Sequence, residues 1–141
     1  MCSSDLGGAQ IQITTGGSVN VAGLTASNYA RRAVSTGIVI GAADTDVWYD
    51  IDTTAARAIT LPAAGGVTAG RFYVFSDTTG NSATNAITIS RAGSDTIEGG
   101  TSVTIASAYA SLMLISDGTS KWRVLRFSDW TKLNEIGRAH V

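Results

Sequence analysis

Short runs in which apolar and polar side chains alternate, each closed by glycine or another turn residue, recur along most of this chain. They narrow its possible folds more than any other feature. Alternation with period two sends successive side chains to opposite faces of an extended strand. Gln10-Ile11-Gln12-Ile13-Thr14 and Ser18-Val19-Asn20-Val21 flank Gly16-Gly17, the pattern of two half-buried strands meeting at a tight turn. Leu24 to Ser35 is open between one or two helical turns, capped by Thr25 and running through Val34, and a plain linker. Beyond it, Gly37–Ile40, Val47–Ile51, Arg57–Leu61, Arg71–Phe75, Ala86–Ile89, Thr96–Glu98, Ser102–Ile105, Ser111–Ile115 and Trp122–Leu125 read as strands. Pro62 has no amide hydrogen and biases Leu61 towards extended backbone, so Ile59-Thr60-Leu61-Pro62 closes a strand. Arg71–Phe75 is apolar on both faces, which suits a core position. Asp117-Gly118 between alternating runs predicts a hairpin with a type I′ turn. Sixteen glycines and a single proline fit many short strands joined by tight turns. About nine strands at this spacing predict an all-β fold, an antiparallel β-sandwich or small barrel, preceded by a short β-rich stalk-like segment.

The two ends read differently. Cys2-Ser3-Ser4-Asp5-Leu6 and Glu135-Ile136-Gly137-Arg138-Ala139 can be encoded by the two strands of one short DNA element of the kind that flanks inserts in sequencing libraries. Residues 1–6 and 135–141 are therefore expected to be adapter-derived and to take no part in the core. The expected organisation is then a stalk-like β segment and linker over 7–36, a β-sandwich module over 37–127, and the start of a truncated following element over 128–134.

Between Gly7 and Asn134 there is neither cysteine nor histidine, since the only cysteine is Cys2 and the only histidine is His140. Disulfides, thiolate nucleophiles, Cys/His zinc sites and histidine general bases drop out together. The formal net charge is -1, and removing Asp5, Glu135 and Arg138 brings it to zero. Net charge therefore offers no drive towards nucleic acid or an anionic membrane, and neither is expected as a partner. Arg31-Arg32 and the set Lys121, Arg123 and Arg126 are local basic clusters, read as solvated faces. No run approaches the roughly 18 apolar residues of a membrane helix, so no membrane insertion is expected.

Three longer stretches carry a resemblance. Ile59 to Asn81 reads ITLPAAGGVTAGRFYVFSDTTGN, Asn85 to Ile105 reads NAITISRAGSDTIEGGTSVTI, and Tyr109 to Trp122 reads YASLMLISDGTSKW. From about Gly37 to Leu125 the chain resembles a β-rich module of bacteriophage tail-fibre proteins. The matching motif positions are Thr60-Leu61-Pro62, Ala69-Gly70-Arg71, Asp77, Asn85 to Ile89, Thr96 to Gly99, and Asp117 to Trp122. Ser120 and Lys121 separate Thr119 from Trp122, a slightly wider spacing than the motif, which predicts a lengthened final hairpin. The resemblance implies a trimeric, elongated virion component used in host attachment, and it implies no active site. Trimerisation would cover Ile11, Ile13, Val19 and Val21 near a shared axis and remove strand edges that invite aggregation. Other tail proteins and a host surface glycan are the partners that follow from it.

The residues themselves offer two rival chemistries. Asp44, Asp46, Asp50 and Asp52 lie within nine residues, and carboxylate oxygens suit calcium. The spacing lacks the glycine and the closing glutamate of an EF-hand loop. If Val47, Tyr49 and Ile51 face inward, then Trp48, Asp50 and Asp52 form an ordinary polar strand face. Asp50 and Asp52 with Glu98 could instead be imagined as a glycosidase pair, which needs a fixed separation across a cleft. Glu98 beside Gly99-Gly100 reads more simply as a turn residue, and Asp77 and Asp117 as turn stabilisers through backbone hydrogen bonds. Trp48, Tyr49, Phe72, Tyr73, Phe75, Tyr109, Trp122, Phe127 and Trp130 read mostly as core or inter-chain packing, with Phe127 and Trp130 opening a further element. No catalytic, cofactor-binding or metal-binding residue is assigned. The leading expectation is a non-enzymatic structural and adhesive tail-fibre module on the virion. The runner-up is a carbohydrate-binding or adhesin module of a bacterial surface protein, and a polysaccharide-cleaving tailspike fragment ranks third.

Overall fold

The computed structural model describes residues 29–126. The segments 7–28 and 127–141, with Ile11, Ile13, Val19, Val21, Phe127 and Trp130, and both expected adapter scars, lie outside the described residues.

Ten strands form within the described residues: β1 (Arg31–Val34), β2 (Ile38–Val39), β3 (Trp48–Ile51), β4 (Arg57–Thr60), β5 (Phe72–Asp77), β6 (Ile87–Ser90), β7 (Thr96–Ile97), β8 (Ser102–Ile105), β9 (Ser111–Ser116) and β10 (Lys121–Arg126). A single short 3₁₀ turn, Ala64–Gly66, follows Pro62. The strands build a six-stranded sheet in the order β1-β3-β5-β9-β10-β7 and a four-stranded sheet in the order β2-β4-β6-β8. The fold is all-β, and its two sheets make a sandwich rather than a barrel.

Up to β9, each strand joins the sheet opposite to that of the strand before it. Through β6, strands two apart in sequence are neighbours and run parallel: β1 with β3, β3 with β5, β2 with β4, and β4 with β6. Parallel neighbours require a long crossover, usually a helix; here the crossover is a strand of the facing sheet. Only β5–β9, β9–β10 and β6–β8 are antiparallel, while β7 pairs β10 in parallel. The expected antiparallel arrangement is thus corrected to a mixed one. Alternation reveals which face a side chain takes, not the direction of the neighbouring strand.

A second correction concerns Leu24 to Ser35. Arg31–Val34 is neither helix nor linker but edge strand β1, paired with β3 from Arg31 opposite Trp48 to Val34 opposite Ile51. Only Val34 of its four residues is buried, so its sequence lacks an alternating signature. Among the described residues the sandwich therefore includes Arg31–Val34 as well as the residues from Gly37 onward.

The inner faces follow the pattern read from sequence. Tyr49 and Ile51 of β3, Tyr73 and Phe75 of β5, Leu112 and Leu114 of β9 and Trp122 of β10 project from the large sheet. Ile59, Leu61, Ile87, Ile89 and Ile105 meet them from the small one. Aromatic rings centre this layer: Tyr49 stacks on Phe75 at 5.3 Å between centroids, and Tyr73 tilts against Trp122 at 5.5 Å. Pro62 follows β4 where ladder pairing stops, and β5 is buried from Tyr73 to Asp77 between β3 and β9, both as the sequence predicts.

Candidate functional site

Both ends of the sandwich are organised around carboxylates that gather backbone amides. At the end where β3 and β5 terminate, Asp77 is 3% exposed, yet its carboxylate accepts five hydrogen bonds. Its Oδ1 accepts from Thr53 Oγ1 at 2.7 Å, Gly80 N at 2.9 Å and Thr79 N at 3.1 Å. Its Oδ2 accepts from Ser82 N at 3.0 Å and Tyr109 N at 3.1 Å. Burial by itself would push this carboxyl up, but the bonds from Thr53, Ser82 and Gly80 prevail and hold it down at about 2. One buried charge, satisfied by dipoles alone, clamps three segments: the turn after β3, the β5–β6 loop and the β8–β9 loop.

Further bonds close the same clamp. Thr53 N donates to Thr79 Oγ1, Asn81 N donates to Thr53 Oγ1, and Asn85 Nδ2 donates to Thr53 O. Ser82 Oγ donates to Ser107 O at 2.6 Å, tying the two loops directly. Tyr109 stands at the edge of this network with φ +59°, in the left-handed region that non-glycine residues seldom occupy. It is 70% exposed. Its ring rests over Gly80, where a Cβ would fall 2.4 Å from the ring carbon Cζ. The expected turn role of Asp77 is therefore present and enlarged, because two of its donors come from remote segments. Tyr109 is a surface aromatic, not a core one.

At the other end, Asp117 Oδ1 accepts from Thr119 N, Ser120 N and Lys121 N, and these bonds pull its carboxyl below the ordinary range. The β9–β10 hairpin forms as predicted, and its loop spans residues 117–120. Its turn differs from the expected type I′, since Gly118 has φ +76° but Asp117 has no positive φ. The side chain of Asp117 supplies the acceptor around which the longer loop folds.

The four aspartates of segment 44–52 do not converge. Asp44 accepts Gly41 N, and Arg32 Nη1 lies 4.0 Å from both Asp44 and Asp46. Asp50 takes the Arg31 guanidinium at 2.6 Å, and Asp52 accepts Thr54 N, which lowers its carboxyl. Val47, Tyr49 and Ile51 are buried while Trp48, Asp50 and Asp52 are half-buried on the opposite face, as the alternation predicts. Among the described residues no three His, Cys, Asp or Glu side chains are grouped to hold a metal ion. The imagined Asp50–Glu98 pair is separated by the width of the sheet. Asp50 lies on β3 and Glu98 directly after β7, four strand steps apart, or about 19 Å at ~4.8 Å per step. A glycosidase pair spans roughly 5 to 9.5 Å.

Glu98 instead finishes a sheet edge. It turns the chain at φ +48°, and its Oε1 accepts Val124 N at 2.8 Å and Arg123 Nε at 2.9 Å. Val124 N points to the edge that β7 vacates after Ile97, so the carboxylate replaces a strand carbonyl. The Val124 amide first, then Arg123, holds this carboxyl low. A cleft of about 430 Å³ beside it is lined by Ile97, Glu98, Ser102, Val103 and Val124, and Glu98 is the only acid among them.

The basic clusters are largely matched locally: Arg31 by Asp50, Arg32 by Asp44 and Asp46, and Arg123 by Glu98. Lys121 is exposed and Arg126 ends β10. Of the aromatics, Tyr49, Tyr73, Phe75 and Trp122 are core, while Trp48 and Phe72 are half-buried on the outer face of the large sheet. There Trp48, Val74, Met113 and Leu125 align in register across β3, β5, β9 and β10, an apolar row on the face away from the core in which Val74 is buried, Trp48 and Met113 are half-buried and Leu125 is exposed. Sequence reading missed this row because its members sit in four separate strands. No helix among the described residues is long and apolar enough to cross a membrane.

The chain matches no known protein family, and it matches no curated protein either.

Proposed function

We propose that the chain is a non-enzymatic structural and adhesive module of a phage tail fibre, part of the host-attachment apparatus on the virion. It works as a homotrimer beside other tail proteins, and host surface glycans are its targets. One observation carries this reading: the residues that resemble the tail-fibre pattern are committed to architecture. Pro62 closes β4, and Arg71 Nη2 holds Asp44 O and Asp46 O at 2.8 and 2.9 Å. Asp77 and Asn85 clamp the loops at one end, Asp117 shapes the hairpin at the other, and Trp122 is fully buried between the sheets. A motif whose polar members are saturated by the fold itself suits a rigid scaffold, not a reaction centre. Half-buried Trp48 and Met113 and exposed Leu125, in one row on the outer sheet face, support contact with further chains.

The test is mass spectrometry on purified virions of a phage that carries this gene and on the envelope fraction of its host, searched for the tryptic peptide Phe72–Arg91, which follows Arg71 and contains no internal lysine or arginine. The expected result is recovery of this peptide with tail proteins. Recovery in the bacterial envelope fraction, and not with virions, would replace this reading with the surface-adhesin one.

A further inference from the structure

We infer that Tyr109 is a stacking platform for a neutral sugar ring, which makes the end of the sandwich clamped by Asp77 its adhesive tip. The inference rests on the adhesive reading above and deepens it by naming the residue and the ligand class.

The argument begins with the backbone. A tyrosine at φ +59° is held in a conformation that side chains other than glycine seldom adopt and that persists only where surroundings impose it. Here the imposing group is the Asp77 carboxylate, which takes the Tyr109 amide while buried itself. The ring is then supported from one side by Gly80, the only residue type that leaves room for it there. Most of the side chain nevertheless stays in water. A fixed, supported and exposed aromatic contributes nothing to the core that a smaller residue would not.

The surroundings select the ligand. The two loops that meet at the ring, residues 78–86 and 106–110, contain no charged side chain; the third clamped segment carries Asp52 and Arg57, and Arg57 is turned onto Asp52 O and Thr54 Oγ1 of its own turn. An anion would call for arginine or lysine, and a protein partner for a broader apolar patch. In the two loops that the ring and Gly80 join, Ala106 and Ala108 are small and Asn81 and Thr84 are exposed, while the Thr78 and Thr79 hydroxyls are taken by Ile51 O and by Thr53. An exposed aromatic face on loops that carry an uncharged hydroxyl and amide, Thr84 and Asn81, matches a pyranose, whose axial C–H groups present an apolar face and whose hydroxyls seek such partners. The Asp77 clamp orders the loops before any ligand arrives, which reduces the entropy that binding must overcome.

Saturation-transfer NMR on the whole chain tests this, using the methyl glycosides of glucose, galactose, mannose, rhamnose and N-acetylglucosamine at tens of millimolar. Transfer to the ring C–H protons of at least one glycoside is expected. It should persist in Tyr109→Phe and fall at least fivefold in Tyr109→Ala. Gly80→Ala, which displaces the ring without deleting it, should fall likewise, with tryptophan fluorescence, to which the buried Trp122 contributes, verifying the fold of each variant. Absence of transfer from all five sugars, or equal transfer in Tyr109→Ala, overturns the inference. Broadening of labelled Tyr109 resonances with protein concentration, with no response to sugar, would assign the ring to a protein contact and overturn it as well. Recovery of the virion peptide is independent of this result, so the tail-fibre reading and the sugar platform can fail separately.

Discussion

Replacing Asp77 with asparagine keeps the shape of the side chain and removes its charge. In the wild type both oxygens accept, three donors reaching Oδ1 and two reaching Oδ2. In the variant one side becomes an NH₂ group, which must face at least two N–H donors inside a site that is 3% exposed. Unsatisfied buried donors cost about 1 to 3 kcal/mol each, so the loss at pH 7 should be about 3 to 4 kcal/mol. The acid dependence gives a second magnitude. The folded carboxyl titrates at about 2 against an ordinary value of 3.8. A depressed carboxyl stabilises the fold above its unfolded value, and that contribution disappears as the pH falls through the folded one. It amounts to about 2 kcal/mol at neutral pH, of which roughly 1.5 kcal/mol is gone by about pH 2.5. Urea unfolding of wild type and Asp77→Asn, followed by tryptophan fluorescence at several pH values, reads both quantities. Asp52, Glu98 and Asp117 also titrate low, but they are common to both proteins and cancel in the difference. The gap should narrow towards pH 2.5. A gap below about 1 kcal/mol at neutral pH, or one that does not change with pH, would refute the carboxylate clamp.

Other sites give shorter tests. Trp122→Ala should cost about 3 to 5 kcal/mol in chemical denaturation, because it empties the centre of the aromatic layer. Gly118→Ala should destabilise more than an ordinary turn substitution, since φ is +76° and a Cβ would lie 2.8 Å from Ala69 Cβ; an unchanged thermal midpoint would contradict that geometry. Glu98→Ala should speed hydrogen exchange at the Val124 amide several-fold, while Glu98→Gln, which keeps an acceptor there, should do so far less. Equal exchange in both variants would dismiss the carboxylate as a strand cap.

How much of this was legible in the chain depends on what each signal measures. Period two reports side-chain face: with Val47, Tyr49 and Ile51 inward it puts Trp48, Asp50 and Asp52 on the other face, and that is how they lie. It is silent on strand direction, so the parallel pairs β1–β3–β5 and β2–β4–β6 could not be read from it. It fails for Arg-Arg-Ala-Val in β1, whose edge position exposes three residues of four. The Asp77 site was half visible: an aspartate before Thr-Thr-Gly-Asn signals a turn, but Thr53 and Tyr109 lie 24 and 32 residues away. For Tyr109 the available signal was isolation, one aromatic among alanines and serines outside any alternating run.

The passage of the chain from one sheet to the other at every step up to β9 also sets a parity rule for its evolution. Inserting or deleting two consecutive strands before β7 would lengthen or shorten both sheets by one strand, about 4.8 Å each, and return the chain to the same side. Inserting one strand would transfer every later strand to the opposite layer, carrying Trp122 and the closing hairpin away from Tyr73. Relatives of this sandwich should therefore differ in length by pairs of strands, and single-strand differences should be confined to its edges.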